Sequence, residues 1–198
     1  EVVVLDNLQQ GHREAVPQKA QFVVGDICKP AELDRLFRRF NIDAVMHMAA
    51  ETVVEYSTTE PKRYFQTNVT GGFNLLNAML KHKVTKMIFS STAAVYGEPQ
   101  VTPINEDHPK NPINAYGLSK LMFEQILEWY GRAYGLKHIS FRYFNAAGAT
   151  ERLGAEQHMN PKRPALAHDA VQQHGRRLRH PVVLREELLE LVDDQQRP

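Results

Sequence analysis

The chain has 198 residues, 42% of them hydrophobic and 24% charged, with a formal net charge of +1. That balance fits a soluble globular protein and gives no global electrostatic case for a nucleic-acid or membrane partner. Cys28 is the single cysteine, so no internal disulfide can form, and a reducing, cytoplasmic compartment fits. No apolar run approaches the roughly 18 residues that a membrane span needs. The opening Glu1-Val2-Val3-Val4-Leu5-Asp6 has no initiating methionine and no signal-peptide pattern. It reads as the middle of a buried strand, so something upstream is expected.

In chain order, residues 2–5 form a first short apolar run and residues 22–24 a second. A helix is expected over 30–40, with Leu33, Leu36, Phe37 and Phe40 on one face. A third strand-like run covers 44–48. A longer helix is expected over 61–81, with Phe65, Val69, Phe73, Leu76 and Leu80 at helical spacing. Residues 87–89 make a fourth run. A helix over 115–134 carries Leu118, Met122, Gln125 and Trp129, and residues 138–141 make the fifth run. Short runs that are apolar on both faces suit parallel strands covered by helices. Their regular alternation with helices predicts an α/β fold, a doubly wound, Rossmann-like parallel sheet with right-handed crossovers.

The pattern changes near residue 150. Every Trp, Tyr and Phe lies at or before Phe144, and large aromatics normally dominate cores. Residues 158–185 are basic and 186–198 acidic. We expect residues 1–150 to form the folded domain and 151–198 a divergent, disordered tail, with the pattern of a short helix at 182–192. Arg176, Arg177 and Arg179 have no aromatic residue among them to stack bases, and the acidic end opposes phosphate binding, so no nucleic-acid partner is expected.

The chemistry concentrates in Tyr116-Gly117-Leu118-Ser119-Lys120. A tyrosine and a lysine four apart on a helix share one face. A phenol titrates near pH 10, and an ammonium one turn away favours its ionised form, so the pair can act as a general acid/base on an alcohol or ketone. Such a pair also arises by chance, and a surface helix pair is its ordinary explanation. Upstream, the run Phe89-Ser90-Ser91-Thr92 ends a strand in three hydroxyls, where open α/β sheets bind ligands. His47, also at a strand end, has no second ligand at metal spacing and reads as structural.

These pieces occur in a telling order. Phe89 to Gly97 (FSSTAAVYG) is followed by Asn114 to Lys120 (NAYGLSK) and then by Arg142 to Gly148 (RYFNAAG). His47-Met48-Ala49-Ala50 and Asn68-Val69-Thr70-Gly71-Gly72 precede them. Over residues 1–154 the chain resembles the extended short-chain dehydrogenase/reductases, and within them the UDP-glucose 4-epimerases. The resemblance implies NAD as cofactor and a UDP-sugar as substrate. It implies Tyr116 as catalytic base, Lys120 as the group that depresses its pKa and binds the nicotinamide ribose, and Thr92 as the hydroxyl that holds the sugar's 4-hydroxyl. Asp6, with Asn7, matches the position that holds the adenosine ribose, and Asp26 and Ile27 match the residues flanking adenine. Met48, Ala49 and Ala50 match the loop along the cofactor's pyrophosphate and ribose. Asn68, Ser90 and Tyr143 match further cofactor contacts, and Asn145 a contact to the substrate's diphosphate side. A homodimer through the two long helices is also implied.

Two alternatives stand beside the epimerase reading. Nucleotide-sugar 4,6-dehydratases of the same superfamily carry an acidic pair directly after the strand-end threonine, and here those residues are Ala93 and Ala94. The other is a non-catalytic truncated remnant. The chain starts at what resembles the family's second strand, lacks the first strand and its glycine-rich pyrophosphate turn, and loses the family pattern after Gly154.

Overall fold

A computed structural model describes residues 1–145. Five parallel strands alternate with helices: β1 (Val3–Asp6), β2 (Gln21–Val24), α1 (Pro30–Arg39), β3 (Val45–His47), α2 (Val54–Thr59), α3 (Pro61–Tyr64), α4 (Gly72–Lys81), β4 (Lys86–Thr92), α5 (Ala115–Tyr134) and β5 (Lys137–Tyr143). The expected boundary at 150, the tail at 151–198 and the helix at 182–192 lie outside the described residues.

The strands form two parallel groups. β1 pairs with β2, in register Val3 with Gln21 through Asp6 with Val24. β4 is the centre of the second group, paired with β3 on one side and β5 on the other. No pairing joins β1 to β3 among the described residues. In the doubly wound order 3-2-1-4-5-6 these groups correspond to the two flanks of the first strand's place. β4 is buried on both faces from Met87 to Phe89, as a parallel strand between helix layers must be.

One core serves both groups. Leu33 and Phe37 of α1, Leu75, Leu76 and Met79 of α4, Met87 and Phe89 of β4, and Phe123 and Leu127 of α5 form one buried cluster, with Leu5 and Val45 packed against it. Leu33, Leu76, Phe123 and Leu127 are wholly inaccessible, and truncating any one to Ala removes about 2–5 kcal/mol of stability. Asp34 ties α1 to α4 by accepting from Lys81 and His82, each at 2.8 Å. Those two partners hold its carboxyl down at about 2.

Two sequence expectations change here. The single helix over 61–81 is α3, then a π-helical stretch Phe65–Gly71, then α4. The π turn turns a different side of the rod inward. Tyr64, Asn68, Leu75, Leu76 and Met79 are buried, while Phe73, assigned to the apolar stripe, is 44% exposed. On α5 the expected stripe is also the outer face, with Leu118, Met122 and Trp129 exposed. The inner face carries Gly117, Ser119, Lys120, Phe123, Glu124 and Leu127. Polar residues occupy it because it meets the chemistry at the end of β4, and periodicity of apolar residues alone selected the wrong side.

Candidate active site

The strand ends make the site. At the carboxyl ends of β1, β2 and β3, a cavity of about 150 Å³ opens between Asp6, Asn7 and Gly11 on one side and Met48, Ala49 and Ala50 on another, with Asp26 and Ile27 closing it. Seven of the twelve expected cofactor residues therefore line one space. Asp6 Oδ1 accepts the backbone N–H of Leu8 at 2.7 Å, which fixes the turn after β1. Among the described residues nothing donates to its other oxygen, Oδ2. Gly11 closes over the carboxylate: a Cβ there would lie 2.7 Å from Asp6 Oδ2. Asn7 is drawn toward Asp26 (3.5 Å), and Asp26 Oδ1 accepts the N–H of Cys28 at 2.8 Å. The floor of the cavity is thus a rigid set of acceptors suited to sugar hydroxyls.

Glu51 borders the same cavity and has no precedent in the sequence reading. It is 5% exposed. Its carboxylate accepts from Arg63 Nε at 2.8 Å and from Gln10 Nε2 at 3.1 Å, linking the loop after β3 to α3 and to the loop after β1. Asn68 stands behind that loop. Its amide donates to the Glu51 carbonyl (3.0 Å) and to Ser119 Oγ (2.9 Å), and its Oδ1 accepts the Glu51 N–H at 2.8 Å. These bonds hold the Ala50–Glu51 loop against α5, and Thr67, one residue earlier, is the π-helix residue that lines the cavity.

Thr92, Tyr116 and Lys120 meet at the end of β4. The N-terminus of α5 is capped by Asn114, whose Oδ1 accepts the N–H of Gly117 at 2.8 Å. Gly117 lets the helix lie on the turn after β4, because a Cβ there would meet the Ala94 carbonyl oxygen at 2.5 Å. That close approach brings Tyr116 to the end of β4, where Thr92 acts to lower the phenol's pKa. Thr92 Oγ1 also accepts the N–H of Ala94 at 3.1 Å. Tyr64 packs edge-on against the Tyr116 ring, 6.5 Å between centroids, and donates its hydroxyl to the Val53 carbonyl.

Lys120 is 3% exposed. Its ammonium donates to the Ser90 carbonyl at 2.8 Å and lies 5.0 Å from the Phe89 ring centre and 6.0 Å from that of Tyr116. Burial pushes its pKa down to about 8. The expected depression of the Tyr116 phenol by Lys120 is not what the structure shows. Burial raises the phenol above its ordinary value, and the hydrogen bond with Thr92 is the opposing influence. The ammonium is turned to the Ser90 carbonyl and lies 6.0 Å from the centre of the phenol ring, which desolvation dominates. Ser90 contributes through that carbonyl. Tyr143 is the register partner of Thr92 across the sheet, its ring 6.0 Å from that of Phe141, and both Tyr143 and Asn145 are exposed.

His47 is structural, as its sequence context suggests. It stacks on Phe89 (5.6 Å) and meets Phe123 edge-on (5.3 Å), and burial together with the Lys120 charge lowers its pKa to about 3, so it stays neutral. Glu124 and Arg142 were missed as a pair. The sequence signals were the placement of Glu124 one turn after Lys120 on α5 and of Arg142 at the head of the RYFNAAG run.

A doubly wound, Rossmann-like parallel sheet with an acid-bearing cavity at the carboxyl ends of β1, β2 and β3, and with Thr92 at the end of β4, is the arrangement of a dinucleotide-binding class of fold. The chain belongs to the NAD dependent epimerase/dehydratase family, whose profile matches residues 1–190. It is 46% identical over 160 residues to the UDP-glucose 4-epimerase of Lacticaseibacillus casei, covering 80% of this chain and 48% of that protein. A crystal structure of a UDP-glucose 4-epimerase superposes with a TM-score of 0.74 at 49% identity, over 75% of this chain and 45% of that one. The UDP-glucose 4-epimerase of Brucella ovis in complex with NAD superposes with a TM-score of 0.72 at 43% identity, over the same shares of 75% and 45%. The chain therefore spans about half the length of the curated relatives it matches.

Proposed function

We propose that this chain carries the NAD site and the acid/base group of a UDP-glucose 4-epimerase, which interconverts UDP-glucose and UDP-galactose. The observation that carries the reading is the Thr92–Tyr116 contact with Lys120 buried behind it, on the same strand-end edge as the Asp6 cavity. The residues fit NAD. The free oxygen of Asp6 suits a ribose hydroxyl and would repel a 2′-phosphate. Met48, Ala49 and Ala50 offer a small-sided wall along which a dinucleotide can run, while Asn68 holds that wall in place through Glu51. Tyr143 and Lys120 flank the end nearest Thr92.

When bound, NAD supplies a reversible hydride acceptor at the sugar's C4. The rest falls to the chain. Thr92 hydrogen-bonds the 4-hydroxyl and orients it toward the phenol. Tyr116 takes the hydroxyl proton at Oη and returns it after the sugar has turned. Lys120, held by Ser90 and Phe89, is the cation placed to support the ionised phenol once ligands close over the ring. Asn145 is assigned to the substrate's diphosphate side. A 4,6-dehydratase needs an acid and a base beyond Thr92 to eliminate water, and Ala93 and Ala94 cannot supply them.

The protein is further assigned to the cytoplasm, and among the described residues no helix is long and apolar enough to cross a membrane. We also assign it a homodimer through the exposed apolar side of α4 and α5, where Phe73, Leu118, Met122 and Trp129 lie open.

The test is calorimetric titration of the chain with NAD, followed by an assay with UDP-galactose, for the chain and its Tyr116→Phe variant. The expected outcome is micromolar or tighter NAD binding by both and turnover by the unsubstituted chain alone. No NAD binding by either would leave the remnant reading in place.

A further inference from the structure

We propose that Glu124 and Arg142 are the positioning pair of the acid/base site: together they fix the end of β4 against α5 and so set Thr92 against Tyr116. The inference deepens the reading above and rests on Thr92 and Tyr116 being the reacting pair.

Glu124 is a buried carboxylate that the reaction does not use: it is 5% exposed, and both of its oxygens are occupied. Oε1 accepts the hydroxyl of Ser91 at 2.5 Å and Arg142 Nε at 3.0 Å, and Oε2 accepts Arg142 Nη2 at 2.8 Å. Ser91 and Arg142 are register partners on β4 and β5, so one carboxylate clasps two paired strands at one point. One helical turn earlier, Lys120 donates to the Ser90 carbonyl at 2.8 Å. Two consecutive residues of β4, immediately before Thr92, are thereby tied to two residues one turn apart on α5.

A single tie would let the helix swivel about it, and two ties remove that freedom. Tyr116 is one further turn along the same helix face, so the orientation of α5 decides where its hydroxyl falls relative to Thr92. Arg142 completes the clamp on the other side. Its Nη1 donates to the Tyr96 hydroxyl at 2.9 Å and to the Glu106 carbonyl at 3.3 Å, which holds the turn that follows Thr92. The forked, planar guanidinium meets the carboxylate in two parallel bonds, a geometry that specifies direction as well as distance. Neither side chain bonds Thr92 or Tyr116 among the described residues, so the pair acts through the backbone it braces.

The test uses the whole chain labelled with 3-fluorotyrosine, with the Tyr116 fluorine resonance identified by its loss in Tyr116→Phe. The resonance is titrated with pH in the unsubstituted chain, in Glu124→Gln and in Ser91→Ala, with thermal melting and NAD calorimetry alongside. Loosening Thr92 from the phenol removes the influence that opposes desolvation. The Tyr116 midpoint is therefore expected to rise by about half a pH unit or more in Glu124→Gln, and by less in Ser91→Ala. NAD affinity, set at the other strand ends, is expected to stay within about twofold of the unsubstituted chain. A pair that merely stabilises the fold would lower the melting temperature and leave the midpoint in place, and that result overturns the proposal. If Glu124→Gln does not fold, Ser91→Ala decides, since it deletes one hydroxyl and keeps the ion pair, and an unmoved midpoint there is equally fatal. The fluorine titration needs neither nucleotide nor sugar, so failure of the epimerase reading would register separately, in the calorimetry and the assay.

Discussion

Tyr116, Lys120 and Asp6 show how a few side chains are tuned by where they sit. Lys120 is an ammonium bonded to a backbone carbonyl, and burial lowers it from 10.5 to about 8. Between those values the unfolded chain holds a proton that the fold rejects, so stability rises with pH across the window and is lost again as pH falls back toward 8. Denaturation midpoints measured through this window should climb for the unsubstituted chain and stay flatter for Lys120→Gln. At the other end of the site, Asp6→Asn should weaken NAD binding about tenfold, roughly 1.4 kcal/mol, by removing a charged acceptor for a hydroxyl. Gly11→Ala should do the same without touching a polar atom, because its methyl would fall 2.7 Å from Asp6 Oδ2. Calorimetry on the two variants checks both, and a Gly11→Ala chain with full affinity would show that the carboxylate is not where the ribose binds.

Among the elements, α5 and the π-helical stretch do most to assemble the site. The 20 residues of α5 put an acid/base pair, a buried clamp and the core residues Phe123 and Leu127 on one rod, so its seating decides everything at once. Gly117→Ala should cost about 1–3 kcal/mol, since the added methyl must force the helix away from the Ala94 carbonyl. The loss reads directly as a lowered denaturation midpoint, and the Thr92–Tyr116 contact should weaken with it. The π turn works differently. A straight α-helix over 61–81 would keep the period that makes Phe65, Val69 and Phe73 its inner stripe, whereas the π turn brings Asn68 inward to reach both Glu51 and Ser119.

At the scale of the molecule, two parallel strand groups share one core, and the site follows their carboxyl edges from Asp6 to Tyr143. Phe73, Leu118, Met122 and Trp129, which periodicity placed toward the core, lie outside it, which is the arrangement a helical interface between copies requires. Trp129 is 66% exposed on that side. Replacing it by Glu should shift sedimentation from dimer to monomer while leaving the denaturation midpoint of the monomer nearly unchanged. A chain that is monomeric before the substitution would refute the dimer.

Strand–helix alternation and the five strands were legible in the chain, because they follow from local composition and periodicity, and the resemblance carried by motifs close together in the chain brought Thr92, Tyr116 and Lys120 forward as a set. It also placed Asp6, Asp26 and Met48–Ala50 at strand ends, where they do line one cavity. Only the tertiary structure decided which face of each long helix turns inward, since an apolar stripe looks the same whether it meets a core or a partner. Only it brought Glu51 to Arg63 and Gln10, or Glu124 to Ser91 and Arg142, because these bonds join residues separated by long stretches of chain and leave no local pattern. The direction of the Tyr116 shift was decided there as well. Helical spacing put an ammonium one turn from the phenol, but the folded chain turned that ammonium to the Ser90 carbonyl and buried the ring, and desolvation prevails.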